Sequence, residues 1–164
     1  MTLVLGGARS GKSRHAEGII TALPAPWIYI ATAQALDAEM QARIAQHQAR
    51  RGAGWQTIEA PFDLAATLFA ASDQPVLVDC LTLWLTNLML GNHDISGATE
   101  ALDAALDART APTVLVANEV GLGIVPDNAL AREFRDAAGR LNQHVAARAD
   151  SVLFMVAGLA MRVK

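Results

Sequence analysis

The run LVLGGARSGKS, Leu3 to Ser13, limits what this chain can fold into more than any other stretch. Apolar residues lead into Gly6, Gly7 and Gly11, and Lys12 and Ser13 follow at once. The spacing G-x-x-x-x-G-K-[ST] needs a strand before it and a helix after it. Glycines let the backbone turn tightly, so its N–H groups converge on phosphate oxygens. The helix opening near Lys12 points its positive end at the same place. Gly6, Gly7, Ala8, Arg9, Ser10, Gly11, Lys12 and Ser13 therefore read as a loop that holds a nucleoside triphosphate. In this reading Lys12 reaches the β- and γ-phosphates and Ser13 offers its hydroxyl to Mg²⁺.

The rest of the chain agrees with a strand–loop–helix opening. Residues 2–5, 27–31, 76–79, 113–117 and 151–157 are short, nearly unbroken apolar runs, as expected of strands covered on both faces. Residues 55–59 alternate and fit an edge strand. Helical patterns lie between them, at about 12–22, 36–51, 62–71, 81–90, 97–109 and 128–148. Such alternation predicts an α/β fold of the P-loop NTPase type, with a mostly parallel sheet and right-handed crossovers. A length of 164 residues suits one domain, residues 1–164. The stretch GNHDISG, 91–97, reads as a mobile loop.

A triphosphate site with Mg²⁺ needs an acid at the end of an apolar strand. PVLVDC supplies Asp79. One carboxylate and Ser13 are enough, because Mg²⁺ keeps several waters; Asp79 could equally cap the next helix. The net charge of −3 leaves no basic footprint for nucleic acid. No uncharged apolar run is long enough to span a bilayer. The only cysteine, Cys80, permits no internal disulfide. With a glycine-rich start unlike a signal peptide, the expected compartment is the cytoplasm.

His47 sits on a helical stripe with Leu36, Met40 and Ile44, and Arg43 and Arg51 lie one turn to either side. Spacing alone favours a half-buried histidine closing an amphipathic helix. The alternative is a neutral imidazole attacking phosphorus, with arginines to balance charge. His144, flanked by Arg140 and Arg148 at i±4, reads as a solvated face.

Taken together, GGARSGKSRHAE, YIATAQALDAEMQARIAQHQARRGAGWQTIEAP, VLVDCLTLWLTN, NEVGLGIVP and REFRDAAGRLNQHVAARAD resemble the bifunctional adenosylcobinamide kinase / adenosylcobinamide-phosphate guanylyltransferases of cobalamin biosynthesis. The blocks follow the family order over essentially the whole chain. The resemblance implies a RecA-like sheet and two reactions. ATP or GTP phosphorylates the aminopropanol hydroxyl of adenosylcobinamide. GTP then gives GMP to that phosphate, yielding adenosylcobinamide-GDP and pyrophosphate. The family's GMP–histidine intermediate falls on His47, so the resemblance makes His47, with Lys12, a catalytic residue. It also implies nucleotide contacts at Thr32, Ala33 and Gln34, just past the second strand, and at Arg51 and Glu59. Ser13 and Asp79 are implied at the Mg²⁺, and the assembly is implied to be a homotrimer. Gln48 stands where a basic residue is common in the family, and Ala117 where a hydroxyl residue is common.

Overall fold

The computed structural model describes residues 1–35, 37–49, 51–71 and 73–164, without the side chains of Glu39 and Arg43. Leu36 of the proposed stripe and the Arg43 side chain thus lie outside the described residues. Seven strands form one sheet: β1 (Thr2–Gly6), β2 (Trp27–Ala31), β3 (Trp55–Glu59), β4 (Val76–Asp79), β5 (Thr113–Asn118), β6 (Ser151–Val156) and β7 (Leu159–Arg162). Their order is β3-β2-β4-β5-β1-β6-β7. All neighbours pair in parallel except β6 and β7. The helices are α1 (Lys12–Thr21), α2 (Ala38–Ala49), α3 (Leu64–Ala70), α4 (Leu81–Leu90), α5 (Ile95–Asp107) and α6 (Ala129–Arg148).

Strand side chains alternate between faces, and here both faces are buried. Leu3, Ile28, Ile30, Val76, Val78, Leu115 and Val152 pack with residues of α3, α4, α5 and α6 in one core. Val4, Tyr29, Leu77, Val114, Val116 and Met155 pack with Ala16 and Ile20 of α1 in the other. This double cover is why the strands read as continuous apolar runs. The weaker run 55–59 is indeed an edge strand, beside β2 alone.

Two expectations need correction. The strand at 151–157 ends at Val156, and a two-residue turn leads into β7, which the sequence reading did not find. Both turn residues have positive φ, 51° at Ala157 and 81° at Gly158, the conformation that suits a tight hairpin. Asn-Gly would have announced it; Ala-Gly does not. The loop at 91–97 is shorter than expected, because α5 already starts at Ile95. Ser96 and Gly97 are poor helix formers, but the burial of Leu102, Ala105 and Leu106 outweighs local propensity. His144 is exposed, as expected of a solvated face, and also joins two helices. Its Nε2 is 2.8 Å from Asp103 Oδ2, and Arg148 reaches the same oxygen at 3.3 Å, so α6 is tied to α5.

The β6–β7 turn braces the phosphate loop: Gly158 N–H donates to Ser10 O at 3.1 Å. Gly6, with φ +152°, lies beneath the same loop, and a Cβ there would come within 2.7 Å of both Met155 O and Ser10 Oγ. Gly6→Ala is therefore expected to cost about 1–3 kcal/mol. For a chain of this size that is a fall of roughly 2–4 °C in Tm per kcal/mol. Calorimetry checks it, and an unchanged Tm would mean that the loop backbone adapts freely.

Candidate active site

The crossovers carry the carboxyl ends of the parallel strands to one edge of the sheet, where open α/β sheets bind ligands. A cavity of about 490 Å³ lies there. β1 delivers the phosphate loop, with Ala8, Arg9, Ser10, Gly11, Lys12 and Ser13 in the cavity wall. β4 delivers Asp79, β3 Glu59 and β5 Asn118, and Ala33 follows β2. A further wall is α2, which lends Met40, Ile44 and His47, with Arg51 just beyond it. None of the described α2 side chains is fully buried. Its apolar stripe faces this cavity rather than a core, and His47 goes with it.

Gly6 and Gly7 shape the loop without lining the cavity. The Gly7 carbonyl accepts from Lys12 Nζ at 2.6 Å, and Lys12 is only 7% exposed. Gly11 precedes α1 in a left-handed conformation, φ 94°, which glycine adopts without strain. Glu119 N–H donates to Gly6 O at 3.0 Å, so the NEVGLG segment is fastened to the same loop.

Two of the expected contacts lie elsewhere. Thr32 is fully buried; its hydroxyl donates to Cys80 O at 2.7 Å and accepts from Cys80 N at 2.8 Å. It staples β2 to the end of β4 and does not line the cavity. Gln34 lines a neighbouring cavity instead.

Sequence reasoning missed Tyr29, which it took for a strand core residue. The Tyr29 hydroxyl donates to Asp79 Oδ2 at 2.9 Å, and the Arg51 guanidinium lies 3.7 Å above its ring centroid. Burial first, then the Asp79 carboxylate, hold the phenol far above its usual range, so it remains a donor. One side chain thus aims the β4 carboxylate and supports the arginine that follows α2. A tyrosine inside an otherwise aliphatic strand was the available signal, since a buried hydroxyl needs a partner. Asn118 was quoted only within its motif; its N–H donates to Thr82 Oγ1 at 2.6 Å and the residue lines the cavity.

The cavity wall carries the donors of Arg9, Ser10, Lys12, Ser13 and Arg51 beside the Asp79 and Glu59 carboxylates. Ser10 Oγ and Arg51 Nη1 are buried with no hydrogen-bond partner among the described residues, and both residues line the cavity. Buried donors left unmade cost about 1–3 kcal/mol each. Cys80 also lines the cavity, but burial, with the Asp79 charge adding to it, pushes its thiol up to about 12. It stays a neutral packing group. Among the described residues no cluster of three or more His, Cys, Asp or Glu could hold a metal.

Comparison with known proteins follows the same lines. Among solved structures, an ATPase from the type III secretion system of pathogenic bacteria superposes with a TM-score of 0.57 at 10% identity. It covers 98% of this chain, which spans 56% of that one. This likeness carries the fold alone, a RecA-like phosphate-loop sheet. The bifunctional adenosylcobalamin biosynthesis protein CobP of Pseudomonas aeruginosa is 51% identical, over 99% of this chain and 96% of its own length. CobU of Salmonella typhimurium is 46% identical over 100% and 99%, and CobU of Escherichia coli 43% over the same shares. The family described as cobinamide kinase / cobinamide phosphate guanyltransferase matches residues 2–163, and the chain belongs to that family.

Proposed function

We propose that the protein phosphorylates the aminopropanol hydroxyl of adenosylcobinamide with ATP or GTP, and then transfers GMP from GTP to the new phosphate. The observation that carries this reading is the meeting of the phosphate loop and His47 in one cavity. In the kinase step, the loop N–H groups and Lys12 hold the triphosphate while the substrate hydroxyl attacks the γ-phosphorus in line. In the transfer step, the neutral His47 imidazole attacks the α-phosphorus. A P–N bond forms, and pyrophosphate leaves with the electrons of the broken P–O bond. The cobinamide phosphate oxygen then attacks the same phosphorus, and the electron pair of the P–N bond returns to the imidazole. Splitting one displacement into two keeps GMP activated for its acceptor. Arg51 balances charge on the phosphates, and Ala33 and Glu59 contact the nucleotide.

Ser13 and Asp79 would hold Mg²⁺, which when bound neutralises phosphate charge. Asp79→Asn keeps the shape and the acceptor for Tyr29 but loses the charge. It is expected to raise the Mg²⁺ concentration for half-maximal kinase rate by about tenfold or more. Unchanged Mg²⁺ dependence would leave Asp79 as a partner of Tyr29 only.

A homotrimer is part of the same reading, supported by the exposed apolar side chains Leu122, Ile124 and Val125 in the NEVGLGIVP segment. So is work in the cytoplasm; no helix among the described residues is long and apolar enough to cross a membrane. The function is tested by product analysis. Label from γ-labelled ATP or GTP should enter cobinamide, and label from α-labelled GTP should then enter cobinamide phosphate with release of pyrophosphate. Hydrolysis alone, with no labelled corrinoid, would refute the reading.

A further inference from the structure

A second cavity, of about 370 Å³, adjoins the first, and Met40 of α2 and Leu83 of α4 belong to the walls of both. Its other apolar walls are Phe62 and Leu90. Among the described residues no Lys, Arg or His lines it, so it does not suit a phosphate. The α4 polar groups it presents are acceptors. Both N–H groups of the Asn87 amide are engaged, by Thr32 O at 2.8 Å and Pro61 O at 3.0 Å, which leaves its carbonyl oxygen. The Thr86 hydroxyl donates to Thr82 O at 2.9 Å, which leaves its lone pairs. Asp37, as a carboxylate, can only accept, and one oxygen already takes the Met40 N–H at 2.7 Å. Gln34, which also lines the cavity, can both donate and accept through its amide. The matching ligand has an apolar body with amide-type donors and acceptors at its edge, donors predominating, and it reaches across Met40 and Leu83 to the phosphates.

The geometry points to this cavity as the acceptor subsite, the seat of the amide-bearing edge and aminopropanol arm of the corrinoid. The assignment rests on the proposed function and names where its second substrate binds. Primary carboxamides on the corrin edge and the arm's hydroxyl supply the donors that Asn87, Thr86 and Asp37 lack. A corrin ring is larger than the cavity, so one edge enters and the ring rests on the mouth, where Leu90 is 62% exposed. The shared wall also answers a demand of the chemistry. The arm must meet the γ-phosphate in the first step and GMP on His47 in the second, and both lie in the adjoining cavity. One seat serves both steps.

Two variants test this. Leu90→Glu places a carboxylate on the mouth at an exposed position that cannot unfold the chain, and Thr86→Phe fills the cavity from α4. Each is expected to raise the KM for cobinamide about tenfold or more, from lost apolar contact or blocked space, while the KM for GTP stays as in the wild type. Equilibrium dialysis of cobinamide, read by its visible absorption, should show the same loss of affinity. Wild-type protein that binds and phosphorylates cobinamide, with both variants equal to it, would overturn the subsite. Wild-type protein that neither binds nor phosphorylates cobinamide would overturn the proposed function, and the subsite with it.

Discussion

The His47→Ala protein is expected to keep phosphorylating cobinamide and to lose guanylyl transfer. In the proposed mechanism the two reactions use one cavity but different groups. Transfer of the γ-phosphoryl group needs positioning and charge balance, which the phosphate loop and Lys12 supply without His47. Guanylyl transfer needs a nucleophile that also leaves well, and alanine offers none. Losing the nucleophile of a covalent mechanism costs on the order of 10⁴–10⁶ in rate. His47 is half-buried on a helix with no fully buried described side chain, so truncation leaves no core cavity and the Tm should hardly move. Kinetics with cobinamide and with cobinamide phosphate as separate acceptors check the split. Equal loss of both reactions together with a lowered Tm would return His47 to the role of a packing residue.

Lys12→Ala should instead depress both reactions, by on the order of 10²–10³ in kcat, the usual effect of removing one donor from a site of developing charge. Lys12 is the loop's buried cation, 7% exposed, with Nζ on the Gly7 carbonyl. The substitution therefore also removes packing within the loop, and a modest fall in Tm is expected alongside the kinetic loss. Nucleotide still bound tightly but turned over slowly is the expected signature. Near-native rates in both reactions would refute the phosphate-loop assignment.

Much of this site is legible in the sequence because its parts are local. The loop from Gly6 to Ser13 carries its own geometry in the spacing of its glycines, and Asp79 is marked by the apolar run before it. His47 is different. Its helical stripe says that it faces the protein, but only the sheet order, which sets α2 over the strand ends, shows that it faces the phosphate loop. Tyr29 was hidden for a related reason. Its partner Asp79 lies 50 positions on, and the two meet through the parallel β2–β4 register, where Ala31 pairs with Asp79. Thr32 and Gln34 share a short turn with Ala33, yet one is fully buried and the other lines a neighbouring cavity, a division that spacing does not encode. The β7 strand escaped because it is four residues long, wholly exposed, and entered through a turn without the usual residues.

This chain is expected to form a covalent bond to GMP through His47, and a labelling experiment detects that bond. The protein is incubated with GTP labelled at the α-phosphate, or separately at the γ-phosphate, and resolved by denaturing electrophoresis. The α-label should stay with the chain and the γ-label should not. The linkage should be lost in acid and kept in base, as for a phosphoramidate, and the labelled peptide should contain His47. No retained α-label, or α-label that persists undiminished in the His47→Ala protein, would contradict it.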